Sequence, residues 1–377
     1  MKNSKKSRFC NRINVIRLEC KNDTIMIKID KKQQQILSIF LEHDAVSSSK
    51  VHEFFVEKYE EKTSLVTIKR ELARITRAGF INAVGNGRAR IYHISTRGRI
   101  SADVDAHSYC SVEPDQRHGL ERFNFELLPS LPSDLFTARE HTELENATQT
   151  YHQRTANLPP AIAKKELERL IIELSWKSSK IEGNTYTLLD TEKLILEHKA
   201  APGHDKKEMI MILNHKDAFN FIHDHPKDFA ALTHANLEEL HKLIVKNLNV
   251  GTGLRKKPVG VTGSIYQPLD NEHQIKEAID QLSTAITRMK TPYEKALTAL
   301  AGLSYVQPFE DGNKRTARLM ANALLWAYAC APLSYRSVEE NTYREATLVF
   351  YELNSIIPFK EIFMSQYIFA AHQYAVI

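Results

Sequence analysis

Cysteine is scarce in this chain of 377 residues, and its four cysteines are widely scattered. They are Cys10, Cys20, Cys110 and Cys330, and no two of them form a C-x-x-C pair. This spacing argues against a disulfide framework or a zinc site and predicts a reducing, cytoplasmic location. Long hydrophobic runs are also missing, because the longest, at 319–333, is too short and too interrupted to span a membrane. We therefore expect no membrane partner.

Charge is distributed unevenly along the chain. The formal net charge is only +5, and a composition of 26% charged and 42% hydrophobic residues is typical of a soluble globular protein. Residues 62–99, however, contain nine Lys or Arg and a single acid, Glu71, which gives this stretch a net charge of +8. The chain is long enough for two or three domains, so the basic stretch can belong to a domain of its own.

A small α/β domain is predicted at 31–100, after an N-terminal segment at 1–30. The pattern is three helices followed by two β-rich runs, with a Gly-Asn-Gly turn between the runs at 85–87. The apolar stripe of the third helix consists of Leu65, Ile68, Leu72 and Ile75. Three helices followed by a β-hairpin are the order of a winged helix-turn-helix.

The basic residues of this domain are placed for DNA binding through residues 62–99. The third helix would lie in the major groove, and the hairpin would contact phosphates. The candidate DNA-binding residues are Thr67, Lys69, Arg70, Arg74, Arg88 and Arg90. The alternative is a solvated basic face on a winged helix that docks a protein. Phosphate and base contacts use the same residue types, so the pattern indicates no base preference.

The rest of the chain divides into a connector and a large helical domain. Residues 101–160 are interrupted by prolines, and the run at 123–129 is predicted to pack on the larger domain. Residues 161–377 have the apolar spacing of helices, beginning with a long helix at 163–180. The predicted fold class is therefore mainly α, preceded by the small α/β domain.

A loop leads into a buried helix at 304–320, where the sequence is Ser-Tyr-Val-Gln-Pro-Phe-Glu-Asp-Gly-Asn-Lys-Arg-Thr-Ala-Arg-Leu-Met. Gly312 frees the backbone to turn, and an apolar-rich run follows Asn313. Backbone N–H groups at such a junction have no partner inside the helix. Together with the helix dipole they form an anion-binding site.

The side chains at this junction favour a phosphate group with Mg²⁺ as the occupant. Lys314, Arg315 and Arg318 add positive charge, and Asp311 offers an oxygen ligand for Mg²⁺. The alternative is that the junction is only the basic start of a core helix. The spacing of Gly, Asn, Lys and Arg after a carboxylate favours the phosphate site.

The same stretch resembles the signature of the Fic family, H-P-F-x-D/E-G-N-G/K-R-x-x-R. The positions that fit are Pro308, Phe309, Asp311, Gly312, Asn313, Lys314, Arg315 and Arg318. Fic proteins are mostly protein adenylyltransferases, which move AMP from ATP to a hydroxyl of a target protein. The resemblance thus implies a helical Fic core, ATP and Mg²⁺ as ligands, and a target protein with an acceptor hydroxyl. The nucleotide-binding residues that it implies are Gly312, Asn313, Lys314, Arg315 and Arg318.

Gln307 is the serious departure from the signature, since the family has its catalytic His at that position. The catalytic positions implied by the resemblance are Gln307, Asp311, Arg315 and Arg318, with Asp311 as the metal ligand. Glutamine has no titratable nitrogen, so it cannot serve as a general base, and losing such a base typically costs about 10²–10⁴ in rate. Positioning and electrostatic stabilisation would remain.

A second stretch, Ser178 to Asn184, resembles the inhibitory motif of the family, S/T-x-x-x-E-G/N. Ser178, Glu182 and Gly183 match it. The resemblance implies that Glu182 pairs with Arg318 and keeps the γ-phosphate from its productive position. A bidentate carboxylate–guanidinium pair would compete directly with phosphate for one arginine. The alternative is an ordinary helix C-terminus with an acidic residue and a glycine cap.

Residues 251–269 are rich in glycine and are predicted to form a β-hairpin. The resemblance places the target-docking flap of the family here, with Val261, Thr262 and Tyr266 as contacts. An exposed strand edge can hold a target segment by main-chain hydrogen bonds and present its hydroxyl to the α-phosphate. The alternative is a surface hairpin without such a role.

Three functions follow from these patterns. The first is a self-inhibited protein adenylyltransferase whose turnover is weak or lost because of Gln307. The second is an ATP-sensing Fic pseudoenzyme that regulates transcription by binding DNA through the winged helix. The third, which the missing acid at position 307 disfavours, is removal of AMP from a modified protein with Glu182 positioning water. A homodimer is left open by the sequence.

Overall fold

The computed structural model of the protein describes residues 29–376, except for the side chain of Arg88. The predicted N-terminal segment at 1–30 therefore lies almost wholly outside the described residues. The described elements are mainly α-helices with one small sheet, as expected from the sequence. Within this range, no helix combines the length and apolar character that a bilayer crossing requires.

Three helices and three short strands form the first part of the structure. They are α1 (Lys31–Glu42), β1 (Val46–Ser47), α2 (Ser48–Tyr59), α3 (Leu65–Arg77), β2 (Ile81–Val84) and β3 (Ile91–Ile94). Asp30, Ser47 and Ser64 start the three helices, because each side chain accepts a hydrogen bond from a backbone N–H of the first turn. The sheet is antiparallel with the order β1-β3-β2, so the central strand is the last in sequence.

The apolar stripe of α3 faces the core of this part, as its helical spacing predicts. Ile68, Leu72 and Ile75 are buried, together with Phe40 of α1 and Phe55 of α2. Each buried side chain of this size contributes about 1.5–3 kcal/mol through its removal from water. The basic residues of α3 consequently lie on the opposite, solvent-facing side.

Four helices follow the sheet, and all but the first lie in the connector. They are α4 (Thr96–Ser101), α5 (Ala106–Cys110), α6 (Leu127–Ser130) and α7 (Ala138–Thr155). Only α7 is long, and it begins at a capping box in which Thr137 and Glu140 satisfy each other's backbone N–H groups. It packs on the last helix of the chain.

Nine helices build the larger, C-terminal part. They are α8 (Pro160–Ile181), α9 (Leu188–Glu197), α10 (Lys206–Asp224), α11 (His234–Val245), α12 (Glu272–Arg288), α13 (Pro292–Val306), α14 (Asn313–Ala327), α15 (Glu340–Leu353) and α16 (Ile357–Gln373). At the centre, α13 and α14 pack on each other more extensively than any other pair of described elements. Both helices are buried on almost every face, which explains their continuous apolar runs.

The predicted β-hairpin at 251–269 is wrong, because this segment forms turns and loop without a strand. Two of its backbone carbonyls, those of Lys257 and Leu269, accept hydrogen bonds from a side chain instead of from a partner strand. The guanidinium of Arg255 is buried and donates hydrogen bonds to the carbonyls of Gln307, Lys257 and Leu269. One isolated bridge joins Gln267 to the connector. Glycine and proline spacing predicted the turns correctly, but it did not reveal this arginine.

Candidate nucleotide-binding site

The junction between α13 and α14 is built from two residues with left-handed backbone. Gln307 ends α13 with φ 51°, and Gly312 precedes α14 with φ 80°. Two features favour glycine at position 312. The left-handed backbone is strained for other residues, and a Cβ there would lie only 3.0 Å from Ile244 Cγ2. The chain therefore reverses direction between the two helices within five residues.

The loop between these residues is held by two side chains. The Asn313 amide accepts a hydrogen bond from the Phe309 backbone N–H and donates one to its carbonyl, both at 2.8 Å. The His241 ring stacks on Phe309 at 3.7 Å, and its Nε2 donates to the carbonyl of Asp311 over 3.0 Å. Burial lowers the pKa of His241 to about 4, so the ring is neutral at pH 7 and carries its proton on Nε2.

The contacts of Asn313 and His241 change the roles that the sequence suggested for residues of this loop. The Asn313 side chain is committed to the loop, so only its backbone N–H can face a ligand. His241 was not selected from the sequence, because its spacing in α11 gives no signal of this contact. Both residues position the loop and leave charge recognition to the basic side chains.

A buried arginine nitrogen faces the junction without an acceptor. The Arg315 side chain is 3% exposed, and its Nη2 donates to Asp311 Oδ2 over 3.1 Å. Its Nη1 is buried and has no hydrogen-bond partner among residues 29–376. An unpaired buried donor costs about 1–3 kcal/mol, and more when it is charged. A phosphate oxygen beside Nη1 would remove this cost.

The junction encloses a cavity of about 150 Å³, and Arg315 is one of the residues that line it. Its lining residues are Glu182, Val259, Gly260, Gln307, Glu310, Asp311, Gly312, Asn313, Lys314 and Arg315. The first N–H groups of α14 lie at the same place, and no described side chain caps them. Free N–H groups, the helix dipole and the two basic side chains make this cavity suitable for an anion.

Asp311 is the residue that fits Mg²⁺ in this cavity. Its side chain is 62% exposed, so its carboxylate can reach solvent and ligand while contacting Arg315 and the N–H of Gly312. Magnesium is commonly bound by one or two carboxylates together with substrate phosphates and water. An exposed carboxylate beside an anion cavity matches this pattern.

Arg318 is completely buried, and all three of its guanidinium nitrogens are engaged by the C-terminal end of α8. Nε donates to Ser178 Oγ over 2.9 Å, Nη2 to the Ser178 carbonyl over 2.8 Å, and Nη1 to Glu182 Oε1 over 2.9 Å. The predicted contact between Arg318 and Glu182 is present, but the expected bidentate pairing is wrong. Ser178 takes two of the three bonds.

The second carboxylate oxygen of Glu182 lies 3.8 Å from Lys314 Nζ. Burial alone would raise the pKa of Glu182, but the charges of Arg318 and Lys314 outweigh it, so the pKa lies below its ordinary value. Glu182 is therefore a carboxylate at neutral pH. Gly183 follows with φ 96°, a conformation that favours glycine and ends the helix.

A second cavity of about 330 Å³ adjoins the first and shares Glu182 and Lys314 with it. Its other lining residues are Ile181, Val261, Thr262, Tyr343, Arg344, Thr347, Leu348 and Tyr351. The cavity has apolar and aromatic walls with a few polar groups, as is usual for small-molecule sites. Its position next to the anion cavity suits the nucleoside part of a nucleotide.

Comparison with known proteins agrees with this geometry. Residues 231–325, which include the junction, match the family model described as Fic/DOC family. This segment is therefore similar to the Fic/DOC family. A protein adenylyltransferase Fic from Nematostella vectensis is 27% identical over 186 residues, which cover 48% of this chain and 44% of that protein. The protein adenylyltransferase fic-1 from Caenorhabditis elegans is 27% identical over 184 residues, covering 48% and 36% respectively.

Two solved structures are similar to this one in fold. Fic-1 (residues 134–508) from C. elegans superposes with a TM-score of 0.53 at 19% identity, covering 63% of this chain and 71% of that chain. A Fic domain-containing signalling protein from Bacteroides thetaiotaomicron gives 0.51 at 20% identity, covering 61% and 94%. This likeness shows the fold. The chain spans less than half of the length of the two curated relatives described above.

Gln307 lines the anion cavity, although its amide nitrogen is directed into the core. Nε2 donates to the Ser304 carbonyl over 2.9 Å and contacts the Tyr351 hydroxyl at 3.2 Å. Its backbone carbonyl accepts a hydrogen bond from Arg255. The residue is thus anchored on both sides. Tyr351 was not selected from the sequence, because its place in α15 resembles any core aromatic position.

Of the three predicted flap contacts, two border the nucleoside-sized cavity and one does not. Val261 and Thr262 line that cavity beside Glu182. Tyr266 is a wrong prediction, because it is only 1% exposed and its hydroxyl donates to the Tyr305 carbonyl over 2.9 Å. Its ring stacks on Tyr305. Tyr266 is therefore a core residue, although it lies in a glycine-rich segment.

The predicted DNA-binding residues lie outside the segment 231–325, on α3 and the β2–β3 hairpin. Lys69, Arg70 and Arg74 are exposed on α3, as is Arg90 on the hairpin, while Thr67 is half-buried. The Arg88 side chain lies outside what the structure describes. Arg70 and Arg74 both contact buried Glu71, which reduces the positive charge that they present.

Proposed function

We propose that the protein is an adenylyltransferase that transfers AMP from ATP to a hydroxyl of a target protein. The observation that carries the proposal is the buried Nη1 of Arg315, which lacks an acceptor beside the uncapped start of α14. A polyphosphate supplies the missing acceptor. The match of 231–325 to the Fic/DOC family and the names of the relatives support the same reaction.

In this reaction the target oxygen attacks the α-phosphorus, the bond from that phosphorus to the bridging oxygen breaks, and pyrophosphate leaves. Arg315 and the N–H groups of α14 would bind the phosphates, with Lys314 adding charge at the cavity edge. Asp311 would hold Mg²⁺, which offsets negative charge on the phosphates. The loop at Val261 and Thr262 would border the bound target segment.

Proton removal is the weak step in this site. The family resemblance places a general base at position 307, and the Gln307 amide cannot accept the hydroxyl proton in that role. The proton would pass to solvent, which predicts slow transfer. Positioning by the anchored loop and charge stabilisation by Arg315 would still operate, because most phosphoryl-group chemistry depends on them.

We also propose that Glu182 inhibits the site. The Arg318 side chain is fully buried, and three of its five N–H donors are bound by Ser178 and Glu182. A γ-phosphate would therefore have to displace the Glu182 carboxylate to reach it. Replacing Glu182 would free Nη1 and remove a carboxylate from the wall of the anion cavity. The remaining bonds to Ser178 would keep the guanidinium in place.

The test is transfer of label from α-labelled ATP with Mg²⁺ to protein. We expect Glu182→Gly to raise transfer by about 10- to 100-fold, because one hydrogen bond between charged groups is worth about 1.5–3 kcal/mol. Glu60→Gly is the matched control, since Glu60 also caps a helix C-terminus but lies on α2. Label transfer that is equal in both variants would contradict inhibition by Glu182.

A further control separates the activity from the inhibition. Asp311→Asn in the Glu182→Gly background is expected to abolish Mg²⁺-dependent transfer, because it removes the proposed metal ligand. Transfer of label from γ-labelled ATP instead of α-labelled ATP would point to phosphorylation. Failure of every variant to transfer either label would overturn the adenylyltransferase proposal.

A second candidate function is ATP-linked DNA binding, and the position of α15 favours it. On one side, Tyr351 of α15 contacts Gln307 and Tyr343 lies beside Arg318. On the other side, Val349 and Leu353 are buried in the core formed by α1–α3 and the sheet. The same helix therefore touches the candidate nucleotide site and the basic domain, which we propose to be a DNA-binding winged helix.

DNA binding would use the groove beside α3, which has a volume of about 950 Å³. Lys69, Arg77 and Arg90 line it together with Ser47, the residue that caps α2. The first N–H groups of a helix and nearby cations are both suited to phosphate. The groove thus offers an electrostatic surface that does not depend on Arg70 and Arg74.

Lys69→Ala combined with Arg77→Ala is expected to weaken binding to duplex DNA and to reduce the slope of log K against log salt by about 2. Arg70→Ala combined with Arg74→Ala tests the two residues that contact Glu71. Lys164→Ala combined with Lys165→Ala is the charge-matched control, because both lysines are exposed and lie on α8, away from α3. Binding isotherms at two salt concentrations provide the measurement. Equal binding by all three double variants would exclude this surface as the DNA site.

A further inference from the structure

Three ionisable side chains converge where the chain enters α7 and α13. Asp134 lies just before α7, His141 lies in the first turns of α7, and Glu294 lies in the first turn of α13. His141 Nε2 is 3.2 Å from Asp134 Oδ1 and 2.9 Å from Glu294 Oε1. One ring nitrogen is therefore approached by two carboxylate oxygens, well away from the junction of α13 and α14.

A single proton cannot satisfy this arrangement. Nε2 carries at most one hydrogen. Of its two contacts, only the one with Asp134 has the geometry of a hydrogen bond. Glu294 Oε1 is buried and receives no aligned hydrogen bond from any residue between 29 and 376. An unsatisfied buried oxygen thus points into the space between the three side chains.

The other contacts of the two carboxylates hold them in place. The second oxygen of Glu294 accepts hydrogen bonds from the backbone N–H and the hydroxyl of Thr291, which form a capping box. The second oxygen of Asp134 lies 3.8 Å from Lys290 Nζ. The oxygens that face His141 are consequently oriented by partners outside the cluster.

The three ligand atoms all lie within 4.8 Å of one another, close enough to share one metal ion. Zinc binds nitrogen and oxygen ligands at about 2.0–2.2 Å in a tetrahedral site, which places neighbouring ligand atoms about 3.3–3.6 Å apart. The two distances from His141 Nε2 are close to this range. Asp134 and His141 are each about one-fifth exposed, so water can complete the coordination.

We propose that Asp134, His141 and Glu294 bind one divalent transition-metal ion, with Zn²⁺ as the best match. Imidazole together with two carboxylates suits zinc and its neighbours in the first row, whereas magnesium prefers oxygen ligands only. The ion would accept the free electron pairs of Glu294 Oε1 and His141 Nε2 at once. It would fasten the start of α7 to the start of α13.

This site is distinct from the proposed nucleotide site. Glu294 is separated from the end of α13 by three helical turns, about 18 Å along the helix axis. The ion would therefore act on stability and on the position of α13, and not on the reacting phosphate. Its test does not depend on adenylyl transfer.

The test is calorimetric titration of Zn²⁺ into the full-length, nucleotide-free chain after chelator treatment. We expect one saturable site and a thermal midpoint that rises with Zn²⁺ but much less with Mg²⁺. Loss of a residue that only supports a metal ligand typically weakens metal binding by about 10–100-fold. His141→Ala and Asp134→Asn each remove a ligand, so each is expected to weaken Zn²⁺ binding by more than that. His234→Ala is the matched control, because His234 pairs with a single carboxylate, Asp280.

Co²⁺ gives a second readout through its visible absorption, which reports coordination directly. The bands are expected in the parent chain and in His234→Ala, and they should be lost in His141→Ala. Glu294 is buried, so a protein with Glu294→Gln can fail to fold. Asp134 is partly exposed, so Asp134→Asn tests the site without that risk. Absence of a stoichiometric Zn²⁺ site, or unchanged binding in both His141→Ala and Asp134→Asn, would overturn the proposal.

Discussion

Gln307→His in a Glu182→Gly background is expected to raise AMP transfer by about 10²–10⁴-fold over Glu182→Gly alone. Position 307 ends α13 and lines the anion cavity, so an imidazole there would lie beside the attacking hydroxyl. The surrounding loop is already fixed by Asn313 and His241. Only the proton acceptor is missing, and the substitution supplies it.

The measurement is the initial rate of label transfer from α-labelled ATP as a function of pH. With histidine present, the rate should rise as pH passes through the ordinary imidazole pKa of about 6.5, because the neutral ring is the base. Gln307→Asn in the same background is the control, since it changes size without adding a base. A gain with histidine that does not vary with pH would contradict a general-base role. No gain at all would mean that the cavity does not bind ATP productively.

Arg318→Ala is expected to lower the free energy of unfolding by about 3–5 kcal/mol, the usual cost of breaking a buried charge pair by removing one partner. The substitution leaves the Ser178 carbonyl without its donor and Glu182 without its nearest cation. It also leaves a cavity where a fully buried guanidinium packs near Tyr343. Urea unfolding followed by circular dichroism measures the effect.

The control and the pH dependence make this prediction specific. Arg139→Ala removes an exposed partner of Glu143 and should leave the midpoint almost unchanged. The pKa of Glu182 is lowered in the folded state, so its contribution is complete above the ordinary carboxyl pKa of about 4.3 and is lost as pH falls through the lowered value. The penalty of Arg318→Ala should therefore shrink in acid. A penalty that stays constant with pH would show that Glu182 contributes little.

The parts of the structure that follow from local sequence were predictable. The apolar stripe of α3 identified its buried face, and Gly312 marked the turn into α14. The turns at 251–269 were also visible, but turn residues do not specify what pairs with the backbone between them. Arg255 binds two carbonyls of this segment and one of the distant Gln307, a combination that no local pattern reveals.

Long-range contacts account for most of what was missed in the candidate site. Ser178 binds two nitrogens of Arg318 across 140 positions of sequence. The family resemblance suggested the contact with Glu182, yet the geometry of the guanidinium depended on how α8 packs near α14. Tyr266 was misassigned for the same reason, because its burial against Tyr305 arises only in the folded chain.

The sharing of α15 between two cores has a consequence for how the chain can be divided. Val349 and Leu353 belong to a helix of the C-terminal part but are covered by the N-terminal part. The Ile356 backbone N–H also donates to the Ile100 carbonyl, and Ser355 Oγ to the Ala102 carbonyl. Cutting the chain in the connector would leave apolar side chains and backbone acceptors facing water. A fragment made at that point is incomplete, and evolution could not exchange the N-terminal part for another without also changing α15.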